Sequence, residues 1–223
     1  MNTEERINQW LSGPYDDETK KEIRRMQQEN DPELQESFYT ELDFGTGGLR
    51  GIMGVGPNRM NKYTVGTATQ GLANYLKSSF PEKLISVAIA YDCRNNSDYF
   101  ASVAADVLSA NGIKVFLFDG LRPTPELSFT VRHLRCQAGI VITASHNPKE
   151  YNGYKVYWND GGQLVPPHDK NVITAVRAIS DIGQVKFERN TDLVTGIGKG
   201  IDEVYLRQVM QIVLSPDAIE KQH

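Results

Sequence analysis

The chain has 223 residues, 39% of them hydrophobic and 23% charged, with two cysteines and a formal net charge of −4. It is too apolar for a disordered chain, too poor in cysteine for a disulfide scaffold, and too acidic for a general nucleic-acid binder. At roughly 100–200 residues per domain, the length allows one large domain, or one domain and part of a second.

No targeting segment is visible. Met1-Asn2-Thr3-Glu4-Glu5-Arg6 places acids where a secretory signal needs basic residues, and no apolar run follows. The longest apolar stretches, around 85–91 and 139–144, have the length of strands. Cys93 and Cys136 lack CxxC spacing and read as reduced thiols. A soluble, cytoplasmic protein without membrane or nucleic-acid partners is expected.

Residues 3–40 read as polar helices. Asp16-Asp17-Glu18 precede Lys20, Lys21, Arg24 and Arg25, the charge order that suits a helix dipole, and Ile23 and Met26 supply a thin apolar stripe. Asp31 followed by Pro32 predicts a second helix start. Then Gly45, Gly47, Gly48, Gly51, Gly54 and Gly56 crowd one short segment, which calls for tight turns or for close backbone approach. From Tyr63 the pattern is helical through Val65, Thr69, Leu72 and Leu76.

Beyond Phe80 the chain alternates. Strands are predicted over 84–91, 114–118 and 138–143, and over 154–158 after a turn at Asn152-Gly153. Helices are predicted over 97–110, from 124 to about 134, and over 166–179. Such alternation with near-continuous apolar strands implies an α/β fold, a mainly parallel sheet covered on both faces. Residues 183–200 read as a linker with a short strand, and 202–213 as a helix that opens a second domain.

In open parallel sheets, ligands bind beyond the carboxyl ends of strands. This selects the loops 92–97, 119–125 and 143–148. In the last, Ser145 and His146 stand side by side just past a buried strand, with Pro148 fixing the exit. Three readings are open. One is a polar turn. Another is a hydrolase nucleophile, although the Gly-x-Ser-x-Gly elbow is absent. The third is a serine that carries a phosphoryl group, whose charge of about −1.5 to −2 would need cations nearby. Arg50, Arg94, His146, Lys149 and Lys155 are available. The glycine-rich segment has neither Walker nor dinucleotide spacing. It is either a hairpin presenting amides and Arg50 at its tip to a phosphate, or a flexible β-hairpin.

Thr143-Ala144-Ser145-His146-Asn147-Pro148, followed by Asn152-Gly153-Tyr154-Lys155-Val156, resembles the phosphoserine loop of the α-D-phosphohexomutases, the phosphoglucomutase/phosphomannomutase family. Phe44-Gly45-Thr46-Gly47-Gly48-Leu49-Arg50-Gly51 is similar to that family's arginine loop, and Asp92-x-Arg94-x-x-Ser97 and Pro123-Thr124-Pro125 fall in order between the two. Tyr154-Lys155-Val156-Tyr157-Trp158 leans towards the branch of phosphopentomutases and glucose-1,6-bisphosphate synthases.

The resemblance implies a three-layer α/β/α domain with a mainly parallel, mixed sheet, the first domain of a four-domain phosphohexomutase. On that reading residues 1–42 form a helical extension, 43–199 the phosphoserine-bearing domain and 200–223 the start of a second domain. Ser145 would be the phosphorylated serine, and its phosphate would complete a Mg²⁺ site with carboxylates absent from this chain. Lys155 and Arg50 would flank the transferred group, with His146 supporting. Arg50, whose guanidinium stays protonated, would act electrostatically. Arg94, Asn147 and Lys149 would bind phosphate or substrate. A phosphorylated hexose or pentose is the implied substrate and a glucose-1,6-bisphosphate type compound the activator. Docking against further domains of the same protein is implied, as is poor activity of this piece alone. A non-catalytic domain that binds a phosphorylated ligand is the rival expectation. Trp10, Trp158, His133 and His168 are expected to serve packing or surface roles.

Overall fold

A computed structural model describes residues 1–45, 47–215 and 218 of the chain. Thr46 of the glycine-rich segment, and most of the last eight residues, lie outside the described residues.

Three helices open the chain: α1 (Thr3–Ser12), α2 (Asp17–Gln28) and α3 (Glu33–Phe38). The Asn2 side chain and Glu5 close a reciprocal cap on α1, and Asp16 caps α2 through the Thr19 amide. Asp31 accepts the Glu33 amide at 3.0 Å, so the Asp-Pro start predicted for the next helix forms. Ile7, Trp10, Ile23, Met26, Leu34 and Phe38 bury together with Tyr63. Tyr63 belongs to α4 (Lys62–Ser79), so the helical layer shares a core with the rest of the molecule.

The remaining elements are β1 (Gly48–Ile52), β2 (Ser86–Tyr91), α5 (Ser97–Ala110), β3 (Lys114–Phe118), α6 (Thr124–His133), β4 (Ala138–Ile142), β5 (Tyr151–Trp158), α7 (His168–Arg177), β6 (Val194–Ile197) and α8 (Lys199–Met210). Six strands form one sheet in the order β1-β5-β4-β2-β3-β6. The pairs β4–β2, β2–β3 and β3–β6 are parallel, while β1–β5 and β5–β4 are antiparallel.

Val87, Ile89, Val115, Ile140, Ile142 and Val156 pack on one face against Leu72 of α4, Leu108 of α5 and Val172 of α7. Ala88, Ala90, Phe118 and Val141 pack on the other against Leu127 and Val131 of α6. All five residues of β4 are buried, because both faces are covered. This is the expected three-layer α/β/α arrangement. Among the described residues no helix is long and apolar enough to cross a membrane.

Several expectations are corrected. Asn152-Gly153 is not a turn but part of β5, where Gly153 pairs with Arg50 and Asn152 with Gly51. The chain reverses before it, in the loop that joins β4 to β5. The glycine-rich segment is not a hairpin with Arg50 at its tip: Arg50 is the central residue of the edge strand β1. The short strand expected within 183–200 does form, as β6, which extends the sheet in parallel with β3. The last helix begins at Lys199, three residues ahead of the expected start, because Gly198 accepts the amides of Ile201 and Asp202 directly after the strand.

Candidate active site

Three loops leave the carboxyl ends of the parallel strands and are stitched together there. Asp92 N–H donates to Ile142 O (3.1 Å), Arg122 N–H to Tyr91 O (3.2 Å) and Asp119 N–H to Ile197 O (2.9 Å). Ser145 sits just past the end of β4. It is exposed and adopts φ +55°, a left-handed conformation uncommon for a residue with a side chain. Its N–H donates to Thr143 Oγ1 at 3.0 Å, and the Thr143 N–H in turn donates to Gly153 O at 2.9 Å.

Lys155 is delivered by β5, where it pairs with Val141 on one side and Gly48 on the other. Its Nζ donates to Ser145 Oγ at 2.8 Å. Arg50 pairs with Gly153, two residues from Lys155, so both cations stand on one face of the sheet. A Cβ at Gly153 would lie 2.5 Å from Thr143 O, so a side chain there would push the serine loop off the strand. Arg50 Nη1 donates to Asn147 Oδ1 at 3.2 Å, which ties β1 to the serine loop. Arg50, His146 and Lys149 are exposed, and among the described residues the last two make no side-chain hydrogen bond.

Arg94 comes from the loop after β2. Its Nη1 donates to Pro148 O (2.9 Å) and Tyr151 O (3.1 Å), and its Nη2 to Ser145 O (2.8 Å) and Asn147 O (2.6 Å). Asp92 Oδ1 accepts the Arg94 amide at 3.0 Å and the Ser97 hydroxyl at 2.7 Å. The fully buried Asn152 donates to Asn95 O and Ser97 Oγ, both at 3.0 Å, and accepts the Gly153 amide at 2.7 Å. One network thus joins the loops after β2 and β4 with the strands β1 and β5 around Ser145.

The arrangement favours an anion on Ser145. A hydrolase pairing with His146 finds no support, because the partner of Ser145 Oγ is Lys155. Lys155 reaches the hydroxyl, Arg50 is tied to the same loop through Asn147, and the Asp92 carboxylate is already engaged.

The pattern described as phosphoglucomutase/phosphomannomutase, alpha/beta/alpha domain I matches residues 41–183. The chain belongs to the phosphoglucomutase/phosphomannomutase family. It is 41% identical over 186 residues to a phosphoglucomutase of Staphylococcus haemolyticus, covering 80% of this chain and 33% of that protein. It is 43% identical over 176 residues to the phosphopentomutase of Homo sapiens, covering 75% of this chain and 29% of that one. A phosphomannomutase-like protein of Thermus thermophilus superposes with a TM-score of 0.66 at 27% identity, over 77% of this chain and 36% of that one. The chain therefore spans about a third of the length of the curated relatives it matches.

Within this mutase-family domain, the roles that sequence reading missed belong to residues holding the loop in place. Thr143, Asp92 and Asn152 orient it without facing solvent as reactive groups. Asn is depleted in strands, so an Asn next to the apolar run of β5 is a signal that a buried partner exists. Nothing near Asn152 in the sequence names that partner, which is 55 residues away.

The implied magnesium ion does not fit the described residues on their own. Among them no group of three or more His, Cys, Asp or Glu side chains could hold a metal ion. Ser145, the metal contact implied by the resemblance, has among the described residues the Lys155 ammonium at its hydroxyl and no carboxylate.

At the third loop, Arg122 clasps Asp202 of α8, with Nε to Oδ1 at 2.6 Å and Nη2 to Oδ2 at 2.8 Å. Glu126 Oε1 is buried without a hydrogen-bond partner, 3.9 Å from Arg122 Nε. Burial, reinforced by the neighbouring Asp202 carboxylate, pushes Glu126 up to about 7, against the pull of Arg122. Asp202 is held below the usual carboxylate range by Arg122.

Proposed function

We propose that this chain supplies the phosphoryl-carrying serine of a phosphosugar mutase acting on a phosphorylated hexose or pentose. The observation that carries the reading is the contact between Lys155 Nζ and Ser145 Oγ. It gives one hydroxyl a proton partner in a cation-lined loop at the carboxyl ends of the strands.

In the outward half-reaction, a sugar hydroxyl oxygen attacks the phosphorus carried on Ser145 and the P–Oγ bond breaks. Ser145 Oγ keeps the bonding electrons and takes a proton from Lys155 Nζ, while the hydroxyl proton leaves to a base. The exposed imidazole of His146 is the group at hand for that proton. In the return half-reaction, Ser145 Oγ attacks the other phosphate of the bisphosphorylated sugar and gives its proton back to Lys155, while the sugar O–P bond breaks and the departing sugar oxygen recovers the proton held by His146. Phosphoryl transfer depends mainly on in-line placement and charge neutralisation, and Arg50 supplies a fixed positive charge on the same face of the sheet. Asn147 orients that guanidinium. A glucose-1,6-bisphosphate type activator enters as the compound that first loads the serine.

The test is intact-mass analysis and peptide mapping after incubation with α-D-glucose 1,6-bisphosphate. The expected result is a single phosphoryl adduct at Ser145, absent from Ser145→Ala, with no labelling by a fluorophosphonate. An adduct at another residue, or none at all, rejects the reading in favour of a domain that only binds phosphorylated ligands.

A further inference from the structure

Arg94 was expected to meet phosphate, yet its guanidinium lies beneath the serine loop. Both terminal nitrogens are occupied by carbonyl oxygens, two each, and all four carbonyls belong to residues 145–151. Only 12% of its side chain is exposed. The arginine is itself fixed, since Asp92 accepts its amide through Oδ1 and places Oδ2 3.6 Å from Nε. We propose that Arg94 is a positioning residue that gathers these carbonyls and thereby sets Ser145 and its neighbouring amides for phosphoryl transfer.

Two consequences follow from backbone geometry. A serine at φ +55° persists only where its surroundings over-determine it. Here the residue is held at both ends, by Thr143 Oγ1 on its N–H and by Arg94 on its C=O. The second consequence concerns the next peptide units. In a planar trans peptide the N–H points opposite to the C=O. With the carbonyls of Ser145 and Pro148 drawn onto Arg94, the amides of His146 and Lys149 face away from it. Among the described residues neither amide has a protein acceptor. Arg94 thus turns two backbone donors of the serine loop away from itself, and the His146 amide, adjacent to Ser145, is free to meet a phosphoryl group there. A lysine cannot reproduce this, because an ammonium is a point charge without the planar fork that meets four oxygens.

This inference rests on the reading of Ser145 as phosphoryl acceptor, and Arg94→Lys tests it with two readouts. The first is backbone hydrogen exchange, which needs no reaction. Exchange of the hydrogen-bonded Ser145, Asn147 and Tyr151 amides should rise at least about tenfold while β4 and the rest of β5 keep their protection, as for local loosening of a loop. The second is the rate of Ser145 phosphorylation by α-D-glucose 1,6-bisphosphate. The saturating rate should fall about 10²-fold, the scale of a small misplacement, with half-saturation moved only a few-fold. Weakened half-saturation at an unchanged saturating rate would make Arg94 a ligand-binding residue and overturn the proposal, as would exchange and rate both at wild-type level. If the unmodified chain accepts no phosphoryl group, the functional reading fails, and the exchange comparison alone decides whether Arg94 holds the loop. Arg94→Gln, which is shorter and uncharged, should show the same exchange change as Arg94→Lys; a wild-type exchange pattern in it also overturns the proposal.

Discussion

At the scale of single residues, reactivity at Ser145 depends on what touches one oxygen atom. Lys155 is the side chain that reaches it, so its removal separates proton transfer from binding. Lys155→Ala should slow phosphorylation of Ser145 by about 10²–10⁴-fold, and Lys155→Arg should not restore the rate, since guanidinium does not exchange its proton at working pH. A Lys155→Ala chain phosphorylated at full rate would remove Lys155 from the mechanism. Gly153 plays a steric part. Its missing side chain lets Thr143 O approach to where a Cβ would be 2.5 Å away, with Leu49 O at 3.1 Å. Gly153→Ala should therefore cost about 1–3 kcal/mol, read as a lowered urea midpoint, and should loosen the serine loop. Ser145, His146 and Lys155 were legible as candidates because they lie within one short stretch of sequence. The partners of Arg94 were not, since a guanidinium aimed at backbone carbonyls leaves no mark on the types of residue it contacts.

At the scale of elements, the antiparallel pair β1–β5 brings Arg50 into the site. Residue period alone could not tell a hairpin from an edge strand in the glycine-rich segment. The outcome was decided by pairing with a strand about 100 residues later. The misplaced turn at Asn152-Gly153 has the same origin. Asn-Gly is a strong local turn signal, but here Asn152 satisfies its amide on Asn95 and Ser97 and the strand runs through it. The docking of α8 carries a pH dependence. Glu126 has an ordinary value of 4.5 and is raised to about 7 in the fold, so between these pH values the folded state holds the extra proton. Stability should then fall as pH rises through that window. Asp202 works in the opposite sense, its contribution being lost only in stronger acid. Glu126→Gln should flatten the slope of the urea midpoint between about pH 4.5 and 7; an unchanged slope would mean that another group binds the proton.

At the scale of the whole molecule, the N-terminal helices act as a brace. Trp10 stacks on Tyr15 at 4.2 Å and meets Phe38 and Tyr63 edge-on at 5.5 Å. The Tyr63 hydroxyl accepts the Asp16 amide and donates to the Asp16 carboxylate, which fastens the start of α2 to the start of α4. Trp10→Ala should cost about 3–5 kcal/mol, measured by urea unfolding, and a loss below about 1 kcal/mol would show the layer to be dispensable. The domain matched here covers about a third of its curated relatives, and the described residues do not assemble an ion site by themselves. Accordingly we expect the chain alone to accept a phosphoryl group on Ser145 yet to convert sugar phosphates very slowly in a coupled assay. Rapid turnover by the isolated chain would contradict that division of labour.

The alternation of strands and helices from β2 onward, the mainly parallel sheet covered on both faces, and Ser145, His146 and Lys155 as candidates could be read from the chain itself. Those features depend on local periodicity and on residues that are close in sequence. The register that sets Arg50 opposite Gly153, the four carbonyls drawn onto Arg94 and the placing of buried Glu126 beside the partly exposed Asp202 were decided by the tertiary structure. Each joins segments roughly 50 to 100 residues apart, and a contact across that distance is chosen by how whole elements pack.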